Sequence, residues 1–445
     1  MIFSFLKYVS PVWYFNLPPA KDHLYFPSEE QLKIAGVNID TDKGYISSLA
    51  QQRDIAWRAF KQGWVMTNDS EKGIDVWKKE RIPVTDEYRF IRKYYSPVWC
   101  SYILALRLIS LKNPVAEING FLKSRNVKRE NIYANPLPAK SNGTFADIEK
   151  EVHKVSIIIP TLNRYQYLKD VLDDIAKQTY RNFEVIVVDQ SEPFREDFYN
   201  QWSYDIRAIP QKEKALWLAR NTAIKISTGD LILLFDDDSR VESDWIIQHI
   251  RCLYNYGADI SSGVSISKVG DKVPENYKYF RWSDQVDTGN VMVKKQVFKE
   301  LGLFDRQFEK QRMGDGEFGL RAYLAGYKNI SNPLAQRLHL KVGEGGLRQM
   351  GSWDAFRTKK LTDPRPIPSV LYLFRKYYGN RLAKLAMLIE LPGSIVPYKY
   401  KGNKKKLILG SLVTVIISPV ILMQVVRSWR RSSKMLQAGP KIERL

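Results

Sequence analysis

The run Leu231-Ile-Leu-Leu-Phe235 ends abruptly in three consecutive carboxylates, Asp236, Asp237 and Asp238. An uninterrupted apolar strand is one buried on both faces, and such strands sit at the centre of parallel sheets covered by helices. Adjacent like charges repel and are costly to desolvate. Three carboxylates at a buried strand end therefore read either as a solvated acidic turn or as oxygen ligands for a hard cation.

Two further segments place that strand in a larger pattern. Val155-Ser-Ile-Ile-Ile-Pro160 is also nearly all apolar and stops at Pro160-Thr-Leu-Asn-Arg164, so it reads as a central parallel strand. Beyond it, Leu168, Val171, Leu172 and Ile175 fall at i, i+3, i+4 and i+7, one face of a helix. Phe183 to Val188 forms the next strand and closes on Asp189-Gln190-Ser191. Strand, helix, strand, then the aspartate-bearing strand predicts a doubly wound α/β sheet with its polar residues gathered at the carboxyl ends of strands. In open α/β sheets that edge binds ligands.

Taken in order, Val155 to Arg164, Val185-Ile-Val-Val-Asp-Gln-Ser191, Ala219-Arg-Asn221 and Gly229 to Asp238 resemble the catalytic domain of glycosyltransferase family 2, which has the GT-A fold, a Rossmann-like doubly wound mixed sheet. Thr288-Gly-Asn290 and Gly314-Asp-Gly-Glu-Phe-Gly-Leu-Arg321 continue the likeness, which spans roughly residues 153 to 345. The resemblance implies an inverting transfer from a nucleotide sugar. An acceptor hydroxyl attacks the anomeric carbon, a divalent cation (Mn2+ or Mg2+) offsets charge on the leaving diphosphate, and a carboxylate takes the proton.

By the same resemblance Asp238 is the direct metal ligand, Asp236 lies nearer the ribose or the metal's water shell, and Asp315 is the base. Pro160, Thr161, Asn163, Asp189, Arg220, Asp236 and Asp237 would line the nucleotide sugar, and Gly289, Asn290 and Glu317 the sugar or acceptor pocket. His339, between two leucines, reads either as a further metal ligand or as a satisfied core histidine. Lys341, the glycines from Gly343 to Gly346 and Arg348 would form a cationic flap. Two positions depart from the family pattern: Gln190 stands where a second acidic residue is usual, and Gly314 occupies the first place of the usual acidic pair.

At 445 residues the chain is long enough for two or three domains. The expected division is a mainly helical accessory domain at 1–150, the catalytic domain at 151–345 and a membrane-associated region at 346–445. In the first, Ser48 to Gln62 and Trp99 to Leu111 look helical, and Asn135 to Gly143 reads as a linker. Cys100 and Cys252 are the only cysteines, which excludes a disulfide framework or a zinc site of cysteines. Met1 to Ala20 lacks the small-residue cleavage site of a secretory signal.

The net charge of +21 is concentrated in the last hundred residues, where 20 Lys plus Arg face 4 Asp plus Glu. Within them, Leu407 to Val426 is uncharged and as one helix would reach about 30 Å. An apolar run of that length favours a membrane over nucleic acid as the partner. Basic residues flank both ends, so charge assigns no orientation and both ends are expected to be cytoplasmic. Pro419 allows a bent, re-entrant or interfacial helix, and a single tilted span is the alternative.

These readings converge on a metal-dependent glycosyltransferase at the cytoplasmic face of a bacterial cell membrane, moving sugar from a UDP-sugar to a lipid-linked saccharide or surface glycan in envelope polysaccharide biosynthesis. A sugar-nucleotide pyrophosphorylase would open with a glycine-rich nucleotide loop, which Pro160 to Arg164 is not. A non-catalytic membrane scaffold with a degenerate transferase fold would have no need of Asp236, Asp238 and Asp315.

Overall fold

The computed structural model describes the chain apart from residues 21–24, 66–72, 78–79, 139–152, 268–270, 344–345, 347–354, 359, 361, 397–399 and 401–402. It divides into two compact units, residues 1–140 with 274–282, and residues 141–273 with 283–445. The expected domain boundary at residues 150 and 151, and residues 139–143 of the expected linker, lie outside the described residues.

The first unit is helical, with helices Ser48–Lys61, Val84–Tyr94, Pro97–Ile109 and Pro114–Lys123. The short strand β7 (Arg281–Trp282) also belongs to it. Its core is aromatic: Phe3 stacks on Phe90, and Phe15 meets Tyr25 and Phe60 edge-on. Buried carboxylates tie it together. Asp54 accepts hydrogen bonds from Tyr45, Lys93 and Tyr94, and Glu87 accepts from the backbone amides of Ser4 and Phe5.

The second unit is built on a mixed sheet. Its strands are β1 (Val155–Thr161), β2 (Phe183–Asp189), β3 (Ile206–Pro210), β4 (Leu231–Phe235), β5 (Ser239–Val241), β6 (Ile260–Ile266), β8 (Asn290–Lys294) and β9 (Asn329–His339). They run in the order β3-β2-β1-β4-β8-β6-β9-β5. As expected, β1 is central and parallel to both β2 and β4. All residues of β1, β2 and β4 are buried, because helices cover both faces. Helix Tyr165–Ala176 buries Leu168, Val171, Leu172 and Ile175, the stripe read from the sequence.

Two pairings bring distant residues to the carboxyl edge. β8 runs antiparallel to β4 with Asn290 opposite Phe235. β5 runs antiparallel to β9 with Ser239 opposite His339, which sets the histidine beside the aspartates.

The C-terminal residues are part of the second unit. Helices Pro368–Glu390 and Ser418–Ala438 pack together, with Arg375 reaching Ser432, Ser433 and the carbonyl of Trp429. The run Leu407 to Val426 is not one helix. Helix Lys404–Ile416 ends at Ile417, and the next helix leaves at 84°, so a straight tilted span is ruled out. Pro419 explains the break, since it lacks the amide that would continue the helical ladder. Among the described residues no single helix is long and apolar enough to cross a membrane, and only this bent pair passes that test together.

Candidate active site

The three aspartates leave β4 in three different environments. Asp236 is clamped between two arginines: Arg220 donates to Oδ1 at 3.0 Å and Arg337 to Oδ2 at 2.9 Å. Asp237 is buried against Thr161 Oγ1 at 2.8 Å and Arg164 at 2.9 Å. Burial, helped by the adjacent Asp238 carboxylate, pushes Asp237 up to about 6 despite the Arg164 charge. Asp238 lies 3.2 Å from Arg164 and 3.3 Å from His339 Nε2.

Asp236, Asp238 and His339 form a group whose ligand atoms all lie within 4.8 Å of one another. The buried His339 Nε2 has no well-formed hydrogen bond. A buried ring nitrogen whose nearest partner, Asp238 Oδ1, stands at 3.3 Å, with the Asp236 carboxylate close by, fits the mixed nitrogen and oxygen donor set of a divalent cation.

Asp315 opens helix Gly314–Leu324, and its Oδ1 accepts from the Gly316 amide at 2.8 Å. Burial and the nearby Asp287 carboxylate raise its affinity for a proton, against the opposing charges of Arg220 and Arg312. Gly314 has a steric reason. A Cβ there would overlap the indole of Trp217, so the acidic side chain usual at that position has no room.

Several expected contacts need correction. Asn290 does not face a sugar pocket. It is fully buried, its Oδ1 accepting from Trp245 Nε1 and paired with His249 Nε2, and its Nδ2 donating to the carbonyls of Val264 and Ala335. Glu317 is likewise internal, held by Tyr377 Oη at 2.5 Å, Lys376 and Arg321, and is no substitute base. Asp189 was expected to meet the nucleotide base, yet its Oδ2 accepts from Tyr165 and Tyr199 and its Oδ1 from the Ser191 amide. These bonds make it a shaper of the loop after β2.

The other expected residues hold the rim. Pro160 and Thr161 are buried at the end of β1, and Asn163 is exposed with φ 53°, its amide donating to Ser191 Oγ. Gly289 is required because a Cβ would overlap both Arg337 Nη1 and Asp236 Oδ2. Of the expected flap, Lys341, Gly343 and Gly346 are described, Lys341 with φ 53° and the Gly346 amide donating to the Leu162 carbonyl at 2.8 Å; between Lys341 and Gly343, the Val342 amide donates to Asp238 Oδ2 and its carbonyl accepts from Arg164. Gly345 and Arg348 lie outside the described residues.

Arg164, Asp287 and Arg337 were not singled out by sequence. Arg337 donates to Asp287 at 2.9 Å as well as to Asp236, and its charge holds Asp287 below the usual carboxylate range although burial opposes it. Arg337 lies two residues before His339 on β9, so period-two alternation puts both on one face of the strand.

Residues 156–316 match the family model described as Glycosyl transferase family 2. Glycosyltransferase GlyA of Streptococcus pneumoniae is 27% identical over 239 residues, covering 52% of this chain and 31% of that protein. Glycosyltransferase AglE of Haloferax volcanii is 27% identical over 191 residues, covering 39% of this chain and 62% of that protein. The chain thus spans less than two thirds of the length of these relatives. Among solved structures, S. aureus TarS 1-349 in complex with UDP-GlcNAc is 15% identical with a TM-score of 0.44, covering 64% of this chain and 92% of that one. Residues 156–316, which contain the aspartate cluster, Arg164, Arg220 and the helix-borne Asp315, are thus a glycosyltransferase family 2 catalytic segment, and Arg337 and His339 join its site from beyond the matched residues.

Proposed function

We propose that the protein is an inverting, metal-dependent glycosyltransferase that moves a sugar from a UDP-sugar to a lipid-linked saccharide or surface glycan at the cytoplasmic face of the membrane. The observation that carries this reading is the convergence on one sheet edge of a possible cation group, Asp236, Asp238 and His339, with a carboxylate of raised basicity, Asp315.

Asp238 and His339, with Asp236 beside them, would hold a divalent cation, which would supply Lewis-acid relief of charge on the leaving diphosphate. The protein's own groups do the remainder. Arg220 and Arg337 fix the Asp236 carboxylate in one orientation, and Arg164 joins Asp237, Asp238 and the Val342 carbonyl. Asp315 accepts the acceptor hydroxyl's proton, and its raised affinity for that proton suits it to the task.

The membrane placement is supported by the bent C-terminal helices. Ile408, Leu409, Leu412, Val415, Ile416 and Leu422 are exposed. Lys404, Lys405 and Lys406 precede them, and Arg427, Arg430 and Arg431 follow. Apolar exposure between basic flanks suits a helix seated in the interface of an anionic bilayer.

The test is nucleotide release by purified protein across UDP-, GDP- and dTDP-sugars, with membrane lipid extract as acceptor and with Mn2+, Mg2+ or chelator. Release from a UDP-sugar that needs both metal and acceptor, and that Asp238→Asn abolishes, supports the reading. Turnover of Asp238→Asn at the wild-type rate with unchanged metal dependence overturns it.

A further inference from the structure

The helix Pro368–Glu390 lies beyond the residues matched by the family model, yet it grips the start of the Asp315 helix from both sides. Its first turn meets the loop that precedes Gly314. The Arg312 amide donates to Ser369 Oγ at 3.2 Å, and the Ser369 amide donates to Gln311 Oε1 at 3.2 Å. Amides in the first turn of a helix have no partner within it. This one, together with the fully buried hydroxyl of the same residue, serves two successive residues of another segment.

Two turns along, the same helix reaches the far side of Asp315. Tyr377 Oη donates to Glu317 Oε1 at 2.5 Å, and Lys376 Nζ donates to the same oxygen at 3.3 Å. Glu317 is fully buried, and Arg321 holds its other oxygen at 3.2 Å. Ser369 and Tyr377 are separated by about 12 Å along the helix axis. Just beyond Tyr377 the helix breaks, at Gly379 with φ 76°. Asp315 thus sits between two contacts made by one short arm, the Arg312 amide before it and Glu317 after it.

The loop between them is strained. Lys310 and Met313 both have positive φ, 57° and 74°, in a region unfavourable to residues with a Cβ. Such strain persists only where the surroundings over-determine it, and the two residues between them, Gln311 and Arg312, are the pair that Ser369 fixes. Released from Ser369, the backbone at Met313 would relax and turn Asp315 with it. The Arg312 charge, which favours the ionised form of Asp315, would move as well.

We infer that Ser369 and Tyr377 are positioning residues that fix the pose of Asp315 through the Arg312 amide and Glu317. The inference rests on Asp315 being the base, and the experiment separates the two. Ser369→Ala and Tyr377→Phe, made in the full chain, each remove one oxygen and little volume. UDP release from the UDP-sugar turned over fastest, with membrane lipid extract and Mn2+, gives kcat and KM, and titration with UDP and Mn2+ gives nucleotide affinity. Each variant should lower kcat on the order of tenfold, while KM and UDP affinity stay within about twofold.

A cycle with Asp315→Asn tells positioning from general support of the fold. In that background either change should alter the residual rate by less than about twofold, because no carboxylate is left to misplace. A fall by the same factor as in the wild-type background overturns the inference. So does a wild-type kcat in either single variant while Asp315→Asn is impaired. Should Ser369→Ala fail to fold, Tyr377→Phe, which alters only a half-buried side chain, decides by the same cycle. Wild-type turnover by Asp315→Asn alone overturns the assignment of the base, and the inference with it.

Discussion

The Arg337 guanidinium joins Asp236 and Asp287, donating at 2.9 Å to a carboxylate oxygen of each, from a strand 101 residues along the chain from Asp236 and 50 from Asp287. One planar cation thereby fixes the spacing of two acids at the sheet edge. Lysine offers a point charge and cannot span both. Arg337→Lys should keep the fold and lower turnover on the order of 10²-fold, the usual cost of displacing a site group by an ångström. Steady-state kinetics with a nucleotide sugar checks this, and a wild-type rate removes Arg337 from the site.

Gly314 makes a steric prediction. Because a Cβ at this position would overlap Trp217, Gly314→Ala should misplace the start of the Asp315 helix and cut turnover. Adding Trp217→Leu opens the space and should recover part of the loss. If Gly314→Ala is fully active alone, the indole does not dictate the glycine, and the family's acidic residue is missing for another reason.

His249 supplies a pH dependence outside the catalytic residues. Burial lowers it from 6.5 to about 4, though hydrogen bonding with Asn290 and Ser261 works against the shift. The unfolded chain takes up the proton below pH 6.5 and the folded chain only near pH 4, so its contribution is intact above pH 6.5 and is lost as pH falls toward 4. At pH 5 the loss is about 2 kcal/mol. Thermal unfolding of wild type should fall between pH 7 and pH 5 by more than that of His249→Gln, and equal slopes would mean the histidine is charged in the folded state.

What the sequence revealed and what it hid follow from how each element is specified. β1, β2 and β4 were legible because strands buried on both faces must be apolar at nearly every position. β9 was not, since Asn329 to His339 mixes polar residues with Pro333, and its pairing with β6 shifts register between Gly263 and Val264. The aspartate cluster was readable as a run of identical charges, whereas its arginine partners arrive from three other elements with no local signature. Asn290 and Glu317 were misplaced for a related reason: membership of a motif does not say whether a side chain turns toward the cleft or into the core.

The C-terminal segment Lys441 to Glu443 was invisible to pattern reading because it is held mainly through its backbone. The Leu303 amide donates to the Glu443 carbonyl at 2.8 Å, the Arg306 amide to the Lys441 carbonyl at 3.1 Å, and the Lys441 amide to Asp305 Oδ1 at 2.8 Å. Lys225 pairs with Glu443, and Gln307 donates to the Gly439 carbonyl. The same loop is held from the other side by Asn221, which exchanges two hydrogen bonds of 3.0 Å with Phe304, and by Arg321, which donates to the carbonyls of Leu301 and Leu303. This loop leads directly to Gly314 and Asp315, so loosening it should misplace Asp315, the proposed base, before it disturbs the proposed nucleotide-binding residues at the ends of β1 and β4. Deleting residues 440–445 removes two backbone–backbone hydrogen bonds and the one from the Lys441 amide to the Asp305 side chain, at about 1 kcal/mol each, so a modest fall in melting temperature is expected. Turnover should fall more than donor affinity, and a peptide of residues 439–445 supplied in trans should restore part of it. If the truncated chain turns over at the wild-type rate, the tail is only a surface strap and Asp315 is positioned without it.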